Sequence, residues 1–410
     1  MNKELSELIQ DEIKRQNEGL ELIASENYVT KAILEAQGSI LTNKYAEGYP
    51  DKRYYGGCEV IDKVENYAIY LACKLFNCKY ANVQPHSGSQ ANFAAYRALM
   101  PYGGKVLSLD LNDGGHLTHG SPVSFSSHLY NFVHYRLDNT GHIDYEQLKN
   151  AIITEQPNVV LAGFSAYPYE INFKTIRDII DKINETSGKT PILFMVDMAH
   201  IAGLVAAKKH MSPIPYADVV TSTTHKTLRG PRGGLILTND ELLDKKINSA
   251  VFPYTQGGPL EHVIAAKAQC FYEALSPSFV DYINNVIINT REACKTLQKL
   301  GAITSGTDNH LFLLNTYDSF GLTGKEAQEL LELAGITTNK NMIPGDTLKP
   351  TETSGLRIGF AALTTRGCTV DQAKVIAETI YKILSRQISV IEGKIIVKEI
   401  AKQLKDITKL

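Results

Sequence analysis

Short runs of apolar residues alternate with longer amphipathic segments between residues 80 and 280. The runs cover residues 80–85, 105–111, 158–167, 191–200, 217–227 and 233–239. They are rich in Val, Ile and Leu with little polar alternation, which is typical of strands covered on both faces. Segments such as FKTIRDIIDKINE, between two of the runs, have the period of a helix. This order predicts an α/β fold with a mainly parallel sheet.

The pattern changes near residue 280. A long helical segment follows, then a strand in NHLFLLNT, a helix in GKEAQELLELAG, a strand in SGLRIGF and two final helical segments. A chain of this length exceeds one compact core. We therefore predict a large α/β domain over residues 16–280 and a smaller C-terminal α+β domain over residues 281–410.

Residues 1–15 are predicted to form a separate N-terminal helix. Its apolar residues share one helical face, and we expect this face to dock on a partner surface. They are Leu5, Leu8, Ile9 and Ile13. Acids and bases interrupt the segment, whereas a signal peptide needs an apolar stretch, so no export signal is predicted.

Composition and charge narrow the possible functions. Of the 410 residues, 43% are hydrophobic and 21% are charged, which is an ordinary globular composition. The net charge of −2, without a long basic run, predicts no binding to nucleic acid or membrane. Six cysteines are scattered without a C-x-x-C pair, so we expect no metal site. We expect reduced thiols, most of them core residues, in a cytoplasmic protein.

Three stretches carry residues suited to chemistry, each beside the end of a predicted strand. QPHSGSQAN offers hydroxyls and backbone amides at a helix start, as either a phosphate-binding turn or an ordinary Ser N-cap. ILFMVDMAH contains Asp197, either a functional carboxylate or the cap of a turn. TSTTHKTLRGPRGG places Lys226 among other cations, either as an amine kept neutral for a Schiff base or as a solvated surface charge.

Considered together, the three stretches indicate one cofactor. A phosphate-binding turn, a carboxylate for a pyridinium nitrogen and a lysine for an aldehyde are the groups that hold pyridoxal phosphate. They occur in this order along one predicted sheet. Neither G-x-G-x-x-G nor G-x-x-x-x-G-K-[ST] occurs in the chain, which argues against a nicotinamide-dependent dehydrogenase.

A longer series of motifs resembles one enzyme family. In order, the motifs are LIASENYV, TNKYAEGYPDKRYYGG, VQPHSGSQAN, GGHLTHG, GFSAYP, VDMAHIAGLVA, TTHKTLRGPRGG, QGGPLEHVIAAKA, TDNHLF and SGLRIG. From about residue 18 to about residue 370, the chain resembles serine hydroxymethyltransferase. The resemblance implies a fold-type I pyridoxal phosphate transferase with a mainly parallel, seven-stranded-type sheet. It also implies a homodimer or dimer of dimers whose subunits share active sites.

The activity implied by the resemblance belongs to one-carbon metabolism and glycine biosynthesis. The family moves the one-carbon unit of L-serine reversibly to tetrahydrofolate, giving glycine and 5,10-methylenetetrahydrofolate. Pyridoxal phosphate is the expected cofactor, held as a Schiff base on Lys226, and tetrahydrofolate is the expected cosubstrate.

The same resemblance assigns roles to individual residues. Cofactor contacts are expected from Lys226, Gly88, Ser89, His116, Ser165, Asp197 and His200, with Tyr45 and Gly258 of the neighbouring subunit. The substrate carboxylate is expected at Arg357 and Ser25. Folate contacts are expected from Leu111, Gly115, His116, Leu117, Glu47 and Asn341. Catalytic roles are expected for Lys226, Glu47, His116, Tyr55, Asp197, His225 and Thr223, with Glu47 transferring a proton near the serine hydroxyl.

Some positions depart from the family pattern near the expected folate site. The family usually reads R-x-G-T-P-A, but Phe360 and Ala361 stand at the T-P positions here. Residues 348–355, LKPTETSG, replace a Ser-Pro-Phe-like stretch, and Asp113 stands where bacterial members often carry His. One alternative is therefore a folate-independent pyridoxal phosphate aldolase or transaldolase acting on 3-hydroxy amino acids. Another is a non-catalytic scaffold, which the full set of catalytic residues argues against.

Overall fold

A computed structural model describes residues 1–410, which divide into two compact units. Unit 1 comprises residues 1–31, 166–169 and 281–410, and unit 2 comprises residues 32–165 and 170–280. The domain boundaries expected from the sequence stay predictions. The helices include none with both the length and the apolar composition needed to cross a membrane.

The secondary structure is numbered here in chain order. The helices are α1 (Lys3–Glu18), α2 (Lys31–Gln37), α3 (Glu59–Phe76), α4 (Gly88–Leu99), α5 (Phe125–Leu129), α6 (Tyr145–Glu155), α7 (Phe173–Ser187), α8 (Ala202–Ala206), α9 (Glu241–Ser249), α10 (Glu261–Ala274), α11 (Pro277–Lys299), α12 (Thr316–Phe320), α13 (Gly324–Leu333), α14 (Ala361–Thr365), α15 (Val370–Leu384) and α16 (Val390–Gln403). The strands are β1 (Leu20–Glu21), β2 (Gly48–Tyr49), β3 (Lys52–Arg53), β4 (Tyr80–Asn82), β5 (Lys105–Leu109), β6 (Asn131–Tyr135), β7 (Val159–Ala162), β8 (Leu193–Asp197), β9 (Val219–Thr223), β10 (Gly234–Thr238), β11 (Ile303–Thr304), β12 (Leu311–Asn315), β13 (Ile336–Thr337), β14 (Asn339–Asn341) and β15 (Gly355–Gly359).

Unit 2 contains a seven-stranded sheet in the order β4-β10-β9-β8-β7-β5-β6. Strand β10 runs antiparallel to both of its neighbours, and the remaining pairs are parallel. The predicted α/β fold with a mainly parallel sheet is confirmed. Strand β6 was absent from the predicted strands, because NFVHY mixes polar and apolar residues. Its position at the sheet edge leaves much of it in contact with solvent.

The direction of the strands brings the three chemical stretches to one edge of the sheet. Because β10 is antiparallel to both β4 and β9, those two strands point the same way, as does β8. The phosphate-binding turn follows β4, Asp197 ends β8, and Lys226 follows β9. Ligands of open α/β sheets bind outside these carboxyl ends, so the fold places all three stretches where a ligand is expected.

Unit 2 gains stability from apolar contacts on both sides of the sheet. Strand residues such as Leu161, Met195 and Ile236 pack in one cluster with the alanine-rich face of α4. Helix α7 buries Ile176, Ile180 and other apolar residues three or four positions apart, which places them on one face. The inner strands are therefore covered by helices, as their apolar composition predicts.

Unit 1 is built around a four-stranded antiparallel sheet in the order β11-β12-β15-β14. A short parallel pair, β1 with β13, lies in the same unit. Phe312 of β12, Ile358 of β15 and the following Phe360 are fully buried in its core. Helix α1 also belongs to unit 1 and buries none of its residues. Its apolar face is exposed, with Leu8 60% accessible, and its docking on a partner stays a prediction.

Gly163 provides a test of how tightly the sheet edge is built. It follows β7 with φ +100°, and a Cβ atom there would lie 1.9 Å from the carbonyl oxygen of Asp197. Gly163→Ala is expected to lower the free energy of unfolding by about 3 kcal/mol or more, because it adds a collision to an unfavourable backbone conformation. Urea denaturation measures the change.

Gly188→Ala is the matched control. Gly188 also has positive φ, +60°, but a Cβ atom there meets nothing within 4 Å. Its substitution is expected to cost only about 1 kcal/mol. Equal losses for the two variants would contradict the close approach of Gly163 to Asp197.

Candidate active site

Asp197 is held in place by hydrogen bonds from three directions. Its Oδ2 atom accepts from Asn92 Nδ2 at 2.9 Å and lies 3.2 Å from His119 Nε2. Its Oδ1 atom accepts from the amide of Ala199 at 3.1 Å. Burial raises the pKa of Asp197, but the hydrogen bond and charge of His119 outweigh it, helped by His116 and Asn92, so the pKa lies below its ordinary value. The carboxylate is therefore fixed and ionised, as a partner for a cationic ring nitrogen requires.

Asn92 connects Asp197 with His116. The Asn92 amide accepts from Thr221 Oγ1 at 2.6 Å and also donates to Thr118 Oγ1 at 2.8 Å. Thr118 presents its hydroxyl and its backbone N–H to His116 Nδ1, at 2.8 and 3.1 Å. The side-chain amide thus positions both Asp197 and His116. Asn92 and His119 were not expected at the site from the sequence, although they lie inside VQPHSGSQAN and GGHLTHG.

His116, His119 and Asp197 also bring possible metal-ligand atoms within 4.8 Å of one another. The hydrogen bonds from Thr118, Asn92 and Ala199 already orient the side chains of His116 and Asp197. The cluster is fully explained as support for a carboxylate, so the arrangement gives no reason to place a metal there.

Lys226 lies beyond the end of β9 and is only 8% exposed. Two polar atoms near it in sequence are buried without a hydrogen-bond partner, Thr223 Oγ1 and His225 Nδ1. Burial lowers the pKa of His225 to about 3, and the charges of Arg232 and Lys226 contribute. Unsatisfied buried polar atoms are costly unless a ligand completes them. The loop after β9 is therefore built to receive a polar group.

The turn after β4 has the geometry of an anion-binding helix start. Ser87 is the N-cap of α4, and its Oγ atom accepts from the amide of Gln90 at 3.2 Å. The first amides of a helix, here those of Gly88 and Ser89, have no partner within the helix. A Cβ atom on Gly88 would lie 2.7 Å from Thr223 Cγ2, so glycine lets this turn approach the end of β9. The geometry fits a phosphate group.

Lys267 anchors the segment that leads into this turn, and this role was not expected from the sequence. It is 1% exposed, and its Nζ atom donates to the carbonyls of Val83, Pro85 and Gly234 at 2.6, 3.0 and 2.8 Å. These bonds join the chain after β4 to the start of β10. Burial lowers the pKa of Lys267 to about 7, against the charges of Glu65 and Glu261. In sequence it resembles a surface lysine of an alanine-rich helix.

A second cluster gathers residues of the 42–57 segment. The rings of Tyr45 and Tyr55 have centroids 4.9 Å apart. A Cβ atom on Gly258 would lie 3.1 Å from the Tyr45 ring, and one on Gly257 would lie 3.2 Å from Glu47 Oε1. Tyr45 and Tyr55 are 55% and 46% exposed. The predicted proton carrier and the predicted partner-facing residues therefore lie together on the accessible surface of this chain.

Arg53 fixes the backbone on both sides of Glu47. Its Nη1 atom donates to the carbonyls of Ala46 and Gly48, at 2.9 and 3.0 Å. The guanidinium is itself held by ion pairs of 2.8 Å with Asp62 and 2.7 Å with Glu65. A buried guanidinium with paired carboxylates is a rigid support, so the Glu47 backbone is fixed even though its side chain reaches the surface.

Three of the expected pterin contacts, Leu111, Gly115 and Leu117, occupy a short loop after β5. Leu111 and Leu117 are 40% and 52% exposed. Gly115 is required there, since a Cβ atom would lie 2.6 Å from the carbonyl of Leu109. Asp113 is buried and pairs with Arg136 at 2.6 Å, which gives this departure from the family a structural role.

The two remaining expected cofactor contacts are Ser165 and His200, which follow β7 and β8. The amide of Ser165 donates to the carbonyl of Gly114 at 2.8 Å. His200 is 4% exposed, and its carbonyl accepts from Thr227 Oγ1 at 2.8 Å. Both residues therefore belong to loops of unit 2 that follow strands of its sheet.

In unit 1, Arg357 lies on β15 and is 8% exposed. Its Nη2 atom donates to Ser25 Oγ and its Nε atom to Asn339 Oδ1, both at 3.3 Å. Burial lowers the pKa of Arg357 to about 10, so the guanidinium remains charged at neutral pH. The structure thus brings Arg357 and Ser25 together and adds Asn339, and their binding of the substrate carboxylate stays a prediction. Asn341 lies on β14, paired with Gly355 of β15.

The departures near Arg357 are accommodated within unit 1. Phe360 and Ala361 are 0% and 1% exposed and belong to its core. In the segment 348–355, Ser354 donates to Asp346 through its amide and its hydroxyl, at 2.8 and 2.7 Å. Both departures are therefore part of ordered packing in this unit.

The comparisons with known proteins agree along most of the chain. The family model described as serine hydroxymethyltransferase matches residues 1–380. A Mesoplasma florum protein named serine hydroxymethyltransferase is 52% identical, covering 99% of this chain and 97% of the relative. Proteins of the same name from Lactobacillus johnsonii and Orientia tsutsugamushi are 53% and 55% identical, over 93% and 90% of this chain and 92% and 85% of their own. This chain belongs to the serine hydroxymethyltransferase family.

Proposed function

We propose that this protein converts L-serine and tetrahydrofolate reversibly into glycine and 5,10-methylenetetrahydrofolate with pyridoxal phosphate as its cofactor. The observation that carries the proposal is the edge of the unit 2 sheet. There, an ionised Asp197, a buried Lys226 and the glycine-containing turn at Gly88 follow strands that point the same way. Family membership supports the same activity.

The residues at this edge fit pyridoxal phosphate. The amides of Gly88 and Ser89 would hold its phosphate, with Tyr45 and Gly258 of a second subunit completing the grip. Lys226 would bind its aldehyde, and Asp197 its ring nitrogen. Ser165 and His200 are proposed to lie near its phenolic oxygen. The unsatisfied Thr223 Oγ1 and His225 Nδ1 atoms would gain polar partners from the same ligand.

The chemistry divides between the cofactor and the chain. When bound, pyridoxal phosphate withdraws electrons from the bonds at the substrate α-carbon. Asp197 would maintain the positive charge on the ring nitrogen, and Asn92 and His119 are positioning residues for its carboxylate. His116 would stack on the ring, held by Thr118 through its Nδ1 atom.

Arg357 and Ser25 are proposed to bind the substrate carboxylate. Two parallel hydrogen bonds from a planar guanidinium suit a carboxylate, and lysine offers only a point charge. The hydrogen bonds to Ser25 and Asn339 preset the guanidinium orientation. Leu111, Gly115, Leu117 and Asn341 are proposed as contacts for the pterin ring.

Glu47 is proposed to transfer the proton between the serine hydroxyl and folate. The exposure of Tyr45 and Tyr55 beside it supports a homodimer, or a dimer of dimers, in which this cluster completes the partner's site. All six cysteines are free, which supports placing the enzyme in the reducing cytoplasm.

Glu47→Gln should separate cofactor binding from folate-dependent turnover. We expect kcat with serine and tetrahydrofolate to fall about 10²- to 10³-fold, because the amide keeps the shape but cannot exchange a proton. Pyridoxal phosphate and glycine affinities should stay within about twofold, since the substitution removes one charge outside their expected contacts. Assays of glycine formation over time measure kcat, and absorbance titrations measure the affinities for pyridoxal phosphate and glycine.

Glu59→Gln is the matched control, because Glu59 is an exposed glutamate in the first turn of α3. It should leave kcat unchanged. Near-normal turnover in Glu47→Gln would show that another group carries the proton.

The proposed activity is tested by the fate of the serine side-chain carbon. With serine labelled at that carbon and tetrahydrofolate present, the label should pass to the folate product in a one-to-one ratio with glycine. Release of the label as free formaldehyde at the same rate, with unlabelled folate, would support the folate-independent aldolase instead.

A further inference from the structure

Two cysteines lie on either side of the end of α3. The helix ends at Phe76, and Asn77 adopts a left-handed conformation with φ +54°. The amide of Cys78 then donates to the carbonyl of Cys73 at 3.1 Å. This is the Schellman arrangement, in which the side chains at these two positions meet. The hydrogen bond keeps the two Cα atoms within about 7 Å, close to the range that a disulfide spans.

The two thiols affect each other's ionisation. A hydrogen bond from Cys78 lowers the pKa of Cys73, against the effects of burial and of the Asp244 carboxylate. The same bond raises the pKa of Cys78, and its Sγ atom also lies 3.5 Å from the carbonyl of Tyr80. Cys73 therefore becomes a thiolate first, while Cys78 keeps its proton.

The other four cysteines are placed differently. All four are buried in the core, and each contacts oxygen atoms: Cys58 those of Tyr55 and Gly56, Cys270 that of Leu228, Cys294 that of Thr304 and Cys368 that of Thr369. Cys73 and Cys78 are only partly buried. They thus combine access for a small reagent with a neighbouring thiol, the arrangement of a reversible thiol site.

We propose that Cys73 and Cys78 form a redox site that a small disulfide, such as oxidised glutathione, converts to an intramolecular disulfide in the folded protein. The Cys73 thiolate attacks one sulfur of the reagent and expels one thiolate. Cys78 then loses its proton to water and attacks the Cys73 sulfur, which expels the second thiolate. The two protein thiols lose two electrons, and the reagent gains them.

The bridge preserves an existing structure. The 3.1 Å hydrogen bond that ends α3 is already present, so closing the disulfide needs little backbone movement. The pair lies outside the candidate active site, and turnover should stay within about twofold on oxidation. Forming the bridge would spare both sulfurs from irreversible oxidation.

The test uses the folded holoenzyme. It is incubated with oxidised glutathione, remaining thiols are blocked with N-ethylmaleimide, and the protein is digested with trypsin. Cleavage at lysine gives the peptides 64–74, VENYAIYLACK, and 75–79, LFNCK, each with one cysteine. We expect a species in which these two peptides are joined, two hydrogens lighter than their sum, and its loss on treatment with dithiothreitol.

Two variants provide the controls. Cys78→Ser should accumulate one glutathione on Cys73, because the resolving thiol is gone, whereas Cys270→Ser should form the bridge like the unchanged protein. The proposal is overturned if the joined peptides form only after denaturation, or if the folded protein carries separate glutathione adducts on both cysteines. It is also overturned if both thiols remain free while glutathione reacts elsewhere.

Discussion

Lys226→Ala is expected to lower kcat for serine cleavage by about 10⁴-fold or more. The substitution removes the amine that would bind the cofactor aldehyde, and loss of a covalent group commonly has this scale of effect. Borohydride reduces a C=N bond, so it should attach the cofactor permanently to a peptide containing Lys226 in the unchanged protein. It should attach none at position 226 in the variant. Absorbance and peptide mass measure this independently of turnover.

Lys246→Ala is the matched control for this prediction. Lys246 lies near the end of α9 and is exposed, so its loss removes the same charge at the surface. Turnover and borohydride labelling should be unchanged. If Lys226→Ala kept turnover within tenfold of the unchanged protein, the assignment of the cofactor lysine would be wrong.

Asp197→Asn is expected to lower kcat about 10³- to 10⁴-fold. The amide has nearly the same shape but no charge to pair with the ring nitrogen, and the side chain is only 11% exposed, so water compensates little. The amide also brings a donor group toward Asn92 Nδ2 or His119 Nε2 in place of an acceptor. Cofactor absorbance and kcat report the loss, and circular dichroism checks the fold.

Asp240→Asn is the control for the charge change. Asp240 is the exposed N-cap of α9, and asparagine is an equally good N-cap, so neither fold nor turnover should change. A small effect of Asp197→Asn, similar to that of the control, would contradict the pairing of Asp197 with the cofactor ring.

The lowered pKa of Asp197 also has a consequence for pH dependence. A carboxyl with a depressed pKa in the folded state adds stability above its unfolded pKa of about 3.9, and this stability is lost as pH falls through the folded value. The charge is therefore complete between pH 5 and 9. Any limb of the pH–rate profile in that window belongs to another group.

The inner strands of the unit 2 sheet were predictable because their apolar composition reflects covering by helices on both faces. Apolar residues make up β7 and most of β8, and β9 begins with two valines; all three strands lie inside the sheet. Strand β6 was missed because an edge strand needs fewer apolar residues. The reversed direction of β10 was not predictable, since direction depends on pairing between distant segments.

The candidate site was predictable where several residue types combine. Asp197 and Lys226 each had an ordinary structural interpretation, and only their occurrence at strand ends together with the turn at Gly88 indicated one cofactor. Asn92 and Lys267 act through contacts with segments up to 184 residues away, as in the hydrogen bond from Lys267 to Val83. Such contacts leave no local pattern. Arg357 was identified by resemblance to the family, because its strand composition suggests only a charged residue.

The most direct test of the proposed function is a titration of serine cleavage with tetrahydrofolate, using the unchanged holoenzyme. We expect the rate of glycine formation to rise with tetrahydrofolate, to reach a plateau, and to be matched by formation of 5,10-methylenetetrahydrofolate. A rate of serine cleavage that is the same at every tetrahydrofolate concentration would contradict it.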